Sequence, residues 1–290
     1  MAARTKEVVL GLLPLLLPYL ALFGFGLMLT AVQGLGLFTP LGSDGPTLEY
    51  YRIVLHDQSL RQSFGFTLFV ALVSATGSVL AGTLLALGLW RMPPSLRPIG
   101  LIAKIGLILP HVAVAFVVAL VFSRTGILSA LAYHLGLIGS ADQFPQLLHQ
   151  GNGLGMILAY MLKGAPFALL LTSAALFGFD PRLVQTAHML GAGRWQTFVQ
   201  VILPRLLPAM HSAFIILFLY ALGAFDIPFV LGESRPGMLP IRVYDIFFQQ
   251  DLADRPLAMA ILTIMFLISA LFAALYLRFA AHLETGGRKL

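Results

Sequence analysis

Apolar residues in this chain run in long, nearly unbroken stretches, and the polar positions gather between them. A helix needs roughly 20 apolar residues to cross the hydrocarbon core of a bilayer. Six stretches reach that length, at about residues 8–32, 64–89, 99–122, 154–177, 211–232 and 257–279. The expected fold class is therefore an all-α integral membrane protein of about six transmembrane helices, in a single domain over residues 1–290. Pro14 and Pro18 are expected to kink the first span without excluding it, because neighbouring helices can satisfy the freed carbonyls. Lys104 lies near the start of the third span, where its long side chain could snorkel to the interface. The first stretch follows Arg4 and Lys6 as a secretory signal would, but it is too long for a cleaved h-region. No A-x-A-like site follows it at Ala31-Val32-Gln33, so it reads as a span.

Composition agrees with this pattern. At 59% hydrophobic and 10% charged residues, with a mean hydropathy of +0.91, a soluble domain of 290 residues would expose far too much apolar surface. The chain has no cysteine, so it carries neither disulfide nor thiol chemistry. The connections 33–63 and 123–153 are too short to fold alone, and Gly126 to Gly136 within the second suggests a short interfacial helix.

Charge supplies the orientation. With a cytoplasmic N-terminus, the inner segments hold Arg4, Lys6, Arg91, Arg97, Lys104, Arg182, Arg194, Arg205, Arg278, Arg288 and Lys289. The outer segments hold Arg52, Arg61, Arg124, Arg235, Arg242 and Arg255. Eleven against six obeys the positive-inside rule and places both termini in the cytoplasm. Acids lean the other way, with Asp44, Glu49, Asp57, Asp142, Glu233, Asp245, Asp251 and Asp254 outside. Topology thus accounts for the pI of about 9.8. No clustered basic patch of the kind that binds nucleic acid is present.

One polar segment differs from the rest. In residues 178–208, between the fourth and fifth spans, Asp180-Pro181 forms a helix start. Leu183, Ala187 and Leu190 then fall on one helical face, and Gly191 can take the left-handed conformation that stops a helix. Gly193 permits a restart. Trp195, Phe198, Val199 and Ile202 make a second apolar face, expected to end where Pro204 turns the chain. Two short helices with a glycine elbow, on the cytoplasmic side, suit docking to a partner.

This segment, VQTAHMLGAGRWQTFVQVILP, resembles the EAA loop of binding-protein-dependent ABC importer permeases. Gln185, Thr186 and Ala187 occupy the E-A-A positions, Leu190, Gly191 and Ala192 the L-G-A, and Ile202-Leu203-Pro204 the close. Gln185 keeps the hydrogen-bonding capacity of the family's glutamate but not its charge. FGFTLFVALVSATGSVLAGTLLALGLWR, ALGAFDIPFVLG and MLPIRVYDIFFQQ extend the likeness, and are most similar to the branch that imports polyamines, thiamine, ferric iron or aminophosphonates. The resemblance implies a type I importer fold and a channel shared with a second, homologous permease. It also implies cytoplasmic ATPase subunits that bind ATP and Mg, an external substrate-binding protein, and a place in the bacterial inner membrane. In such a complex Gln185, Thr186, Ala187, Leu190, Gly191, Ala192, Phe198 and Pro204 would couple to the ATPase, with no cofactor in this chain.

Within the spans the ionisable residues are Lys163 and Asp226, which by residue count lie at similar depth and could pair. Charges inside a span face a bundle interior or a water-filled cavity. Both a substrate-pathway position and a structural ion pair remain open for them. A stripe of small residues, Ser74, Ser78, Gly82 and Ala86, marks close helix packing along the second span. His111 and His188 have no second ligand at i+3 or i+4, so no metal site is expected. The chain lacks H-E-x-x-H, G-x-S-x-G and the phosphate-binding G-x-x-x-x-G-K-[ST]. A membrane-embedded enzyme is thereby disfavoured, and no catalytic residue is expected. A secondary carrier stays as the alternative, although it would be expected to place more ionisable groups on broken helices at the midplane.

Overall fold

A computed structural model of the chain describes residues 2–38, 45–233 and 235–287. Asp44, Arg288 and Lys289 of the charge balance lie outside them. No strand occurs among the described residues. The chain begins with α1 (Ala2–Gly34), α2 (Glu49–His56) and α3 (Gln58–Arg91). A 3₁₀ run, Pro94–Lys104, leads into the short α4 (Ile105–Ile108), then α5 (His111–Phe122), α6 (Ile127–His134) and α7 (Leu154–Phe177). Next come α8 (Arg182–Met189), α9 (Arg194–Thr197), a π-helical turn at Phe198–Ile202, and α10 (Leu203–Gly223). The chain continues through α11 (Asp226–Leu231), α12 (Leu239–Tyr244), a second π turn at Asp245–Gln249, and α13 (Arg255–Gly287). Six helical segments among the described residues are long and apolar enough to cross a membrane: Gly11–Gly34, Gln58–Arg91, His111–His134, Leu154–Phe177, Arg194–Gly223 and Leu252–Arg278.

Two of these differ from the expected spans, and proline explains both. The stretch at 99–122 is not one helix. Pro110 has no N–H, and it drives Leu109 into an extended conformation (φ −66°, ψ 134°), so α4 ends and α5 starts afresh at His111. The stretch at 211–232 is also divided. Its first part begins earlier, in the α10 run from Leu203, and stops at Ala224, which is extended (φ −71°, ψ 136°). A helix continued through this point would need the Pro228 N–H to bond the Ala224 carbonyl. Instead Pro228 falls in the first turn of α11, where no donor is needed. The short helix expected near Gly126 is present as α6. Pro14 and Pro18 are carried inside a continuous α1.

The helices form two compact units, residues 1–61 with 242–270 and residues 62–241 with 271–290. In the first, α1 closes on its neighbours at Gly34, where a Cβ would come within 2.6 Å of the Tyr51 hydroxyl and 3.2 Å of Ala260 Cα. Tyr51 Oη donates to the Ala31 carbonyl at 3.1 Å. In the second unit, the stripe on α3 is buried against α7. Ser74, Ser78 and Ala86 are each 1% exposed, and a Cβ on Gly82 would stand 2.4 Å from the Ala165 carbonyl oxygen. Small side chains let the two backbones approach, which matters in lipid, where helices associate by packing. Phe218, on α10, packs tilted against Phe272 of α13 with ring centroids 4.2 Å apart, extending the same core.

Candidate coupling surface and cavity

The segment after α7 forms a helical elbow. The Asp180 carboxylate accepts the Arg182 N–H at 2.9 Å and so opens α8. Gly191 closes it at φ +85°, with the Ala192 N–H bonded to the Ala187 carbonyl at 2.9 Å. This is a left-handed helix stop that satisfies the last carbonyls of α8. A ring nitrogen of His188, Nδ1, lies 3.0 Å from the Ala192 carbonyl oxygen and straps the elbow from its other side. Beyond Gly193, the Thr197 hydroxyl donates back to the Gly193 carbonyl at 3.0 Å.

Anchorage of the elbow is confined to one side. Phe198 and Val184 pack on a buried cluster that includes Leu169, Phe179 and Leu206. Trp90 meets the edge of Phe179 at 5.7 Å and ties the end of α3 to the same cluster. The other side is bare. Leu183 is 51% exposed, Leu190 83%, Met189 87% and Trp195 76%. Gln185, Thr186 and Gly191 are exposed with them, and Ala187 and Ala192 are half-buried. The expected turn at Pro204 does not occur. Pro204 is the second residue of α10, and the chain winds through the π turn at Phe198–Ile202 directly into the fifth span. The elbow is therefore continuous with α10.

A cavity of about 180 Å³ opens among α3, α4, α5, α7 and α10, with Ser78, His111, Tyr160, Lys163 and Tyr220 as its principal polar lining. Local sequence explains how α5 and α7 meet there. The break at Pro110 leaves the α4 carbonyls without helical partners, and Lys163 Nζ donates to the carbonyls of Leu107 (3.0 Å) and Leu109 (2.5 Å). An ammonium at a helix C-terminus also complements its dipole. His111 lies beside Tyr220 with ring centroids 4.9 Å apart, and Tyr160 meets Tyr220 edge-on at 6.4 Å. Tyr160 is 5% exposed, and its hydroxyl has no hydrogen-bond partner. Gly164 admits α3, because a Cβ there would come within 2.5 Å of the Ser78 hydroxyl.

Lys163 and Asp226 are thus not a bonded pair. Lys163 spends its hydrogen bonds on carbonyls, and no carboxylate among the described residues lies within 4.0 Å of it. Asp226 starts α11 and is exposed, close enough for its charge to act on His111, Tyr160 and Tyr220. Sequence reasoning picked out Lys163 but not its setting. The signal was the spacing of Tyr160 and Lys163, three apart on one face of α7, opposite Ser74 and Ser78, four apart on α3.

Residues 78–286, which hold the elbow and all of the cavity lining but Ser74 and Ala75, match the family model described as "Binding-protein-dependent transport system inner membrane component". The chain belongs to this family. The permease is 28% identical to the Inner membrane ABC transporter permease protein YnjC of Escherichia coli over 235 residues, 80% of this chain and 43% of that protein. It is 30% identical to the Putative ferric transport system permease protein FbpB 1 of Haemophilus influenzae over 204 residues, 69% of this chain and 31% of that protein. The chain thus spans less than half the length of these curated relatives. Its fold is shared with a bacterial ABC transporter involved in the import of the acidic polysaccharide alginate. That match has a TM-score of 0.76 at 18% identity and covers 97% of this chain and 96% of the other. Six apolar helices and this family make the permease a multi-pass inner-membrane protein.

Proposed function

We propose that this permease is a channel-forming subunit of an ATP-driven solute importer that moves a small solute from an external binding protein to the cytoplasm by alternating access. The observation that carries the reading is the elbow, whose apolar residues Leu183, Met189, Leu190 and Trp195 stand exposed on a segment continuous with a span. An exposed apolar patch on a rigid support is what a docking partner covers. The partner we assign is a cytoplasmic ATPase subunit, which holds ATP and Mg and meets Gln185, Thr186, Ala187, Leu190, Gly191 and Ala192. Phe198 and Pro204 transmit its motion into α10. A second, homologous permease completes the channel, both termini lie in the cytoplasm, and Lys163 and Asp226 border the solute pathway. The lengthwise share of the relatives supports the paired arrangement, since a chain matching less than half of YnjC or FbpB 1 leaves room for a second such unit.

Co-expression with candidate ATPase subunits tests this. The permease should co-purify with one of them, and the complex in proteoliposomes should hydrolyse ATP faster when its loaded binding protein is added. Solute uptake by the permease alone, driven by an ion gradient, would instead identify a secondary carrier.

A further inference from the structure

Tyr160, Lys163, His111 and Tyr220 stand in the lining of the cavity among mostly apolar walls, and no carboxylate does. An ammonium has three N–H donors, and two of those on Lys163 are taken by Leu107 and Leu109. The same two bonds remove from use the backbone carbonyls at the α4 break, which a cationic ligand would otherwise seek. A buried hydroxyl, Tyr160 Oη, stands nearby without a partner. Buried polar groups are nearly always bonded, so an orphan hydroxyl in a cavity lining is open to a ligand's acceptor. Lys163 takes backbone carbonyls as its partners, as charges inside a span often do, and keeps one N–H and its positive charge for a ligand. The serines do not compete for the role, since Ser74 and Ser78 already donate to the Ala71 and Tyr160 carbonyls.

We propose that this cavity receives an oxyanion group of the transported solute, a carboxylate, phosphate or phosphonate, with Lys163 as its charge partner and the Tyr160 hydroxyl as a donor. The proposal rests on the permease reading and adds a solute class to it. Asp226 stands outside the cavity lining, and its negative charge opposes an anion that strays toward α11. The oxyanion is thereby directed to the Lys163 side. His111 and Tyr220 lie side by side in the cavity lining.

The test uses the permease in complex with its ATPase subunit in lipid nanodiscs. Thermal unfolding is followed with inorganic phosphate, methylphosphonate or acetate, each against chloride at equal ionic strength, and with putrescine as a cation. At least one oxyanion should raise Tm by about 2–4 °C, as a ligand held by the folded state alone does. Tyr160→Phe removes only an unbonded hydroxyl, so it should keep the ligand-free Tm while losing at least half of the rise. Lys163→Met should lose the rise, and Lys163→Arg should retain part of it. The proposal is overturned if no oxyanion gives a shift, or if the shift survives unchanged in Tyr160→Phe and Lys163→Met. A rise with putrescine that disappears in Asp226→Asn overturns it too and makes the solute a cation. Association with the ATPase, scored in the same samples, judges the permease reading separately.

Discussion

Glycine shapes both the elbow and the helix packing beside the cavity, but for opposite reasons. At Gly191 there is empty space all round, with no atom within 4 Å of an added Cβ, and the residue is needed for its φ of +85°. At Gly82 and Gly164 the backbone is ordinary helix, and the residue is needed because the adjoining helix leaves no room. One region is a surface held in shape by its own local bonds. The other is a hollow that exists only because several helices are packed around it. The elbow should therefore tolerate side chains in folding while remaining sensitive in function, and the cavity region should show the reverse order of damage.

The largest effect is expected where α3 meets α7. Gly82→Val would press into the Ala165 carbonyl and Ala168 Cβ, both backbone or backbone-adjacent, and overpacking of this kind costs about 1–3 kcal/mol or more. Folded yield in detergent should collapse. A Gly82→Val permease with wild-type Tm would show that the helices are not this close.

Gly191→Val comes next. A β-branched residue held at positive φ is strained by at least about 1–2 kcal/mol, yet the strain is confined to the elbow. The protein should insert and fold with Tm lowered by no more than about a few degrees, and ATP-driven uptake should fall by an order of magnitude or more. Uptake at wild-type levels in an assembled complex would remove the elbow from the coupling route.

Lys163→Met should lower stability by about 1–3 kcal/mol, because it strips the Leu107 and Leu109 carbonyls of their donor. Asp226→Asn should cost little, being exposed. Since the two residues share no bond, their combined effect on thermal unfolding should equal the sum to within about 0.5 kcal/mol. Rescue of stability in the double mutant would restore the direct ion pair that residue depth alone suggested.

The smallest structural effect belongs to Gln185. Either Gln185→Glu or Gln185→Lys should change stability by no more than about 0.5 kcal/mol at an exposed position. Their association with the ATPase should nonetheless diverge, with lysine the weaker binder, as measured by pull-down at two salt concentrations. Equal binding would mean that this side chain faces away from the partner.

The same contrast explains what could be read from the residues alone. The elbow was legible because its causes are local. Asp180 and Gly191 each impose a conformation on their immediate neighbours, and both do so in the structure. The spans were legible through length and hydropathy, and the α3 stripe through its spacing. Pro204 was misread because its effect depends on the preceding π turn, which no residue pattern announced. The breaks at Pro110 and Ala224 were missed because hydropathy passes smoothly across them, although Pro110 and Pro228 carried the information. The partners of Lys163 were beyond reach. A lysine on α7 finds the carbonyls of Leu107 and Leu109 only once α4 and α5 have separated and packed, and residue depth could not choose between those carbonyls and Asp226.

The central claim is that the bare face of the elbow is covered by an ATPase subunit. Because the chain contains no cysteine, single cysteines report cleanly. Leu190→Cys on the elbow, 83% exposed, and Leu84→Cys on α3, 68% exposed, are compared in the assembled complex with a short bifunctional thiol–amine cross-linker. The account predicts a permease–ATPase adduct from Leu190→Cys and none from Leu84→Cys. Failure of Leu190→Cys to give that adduct, in a complex that still co-purifies with the ATPase, would contradict it.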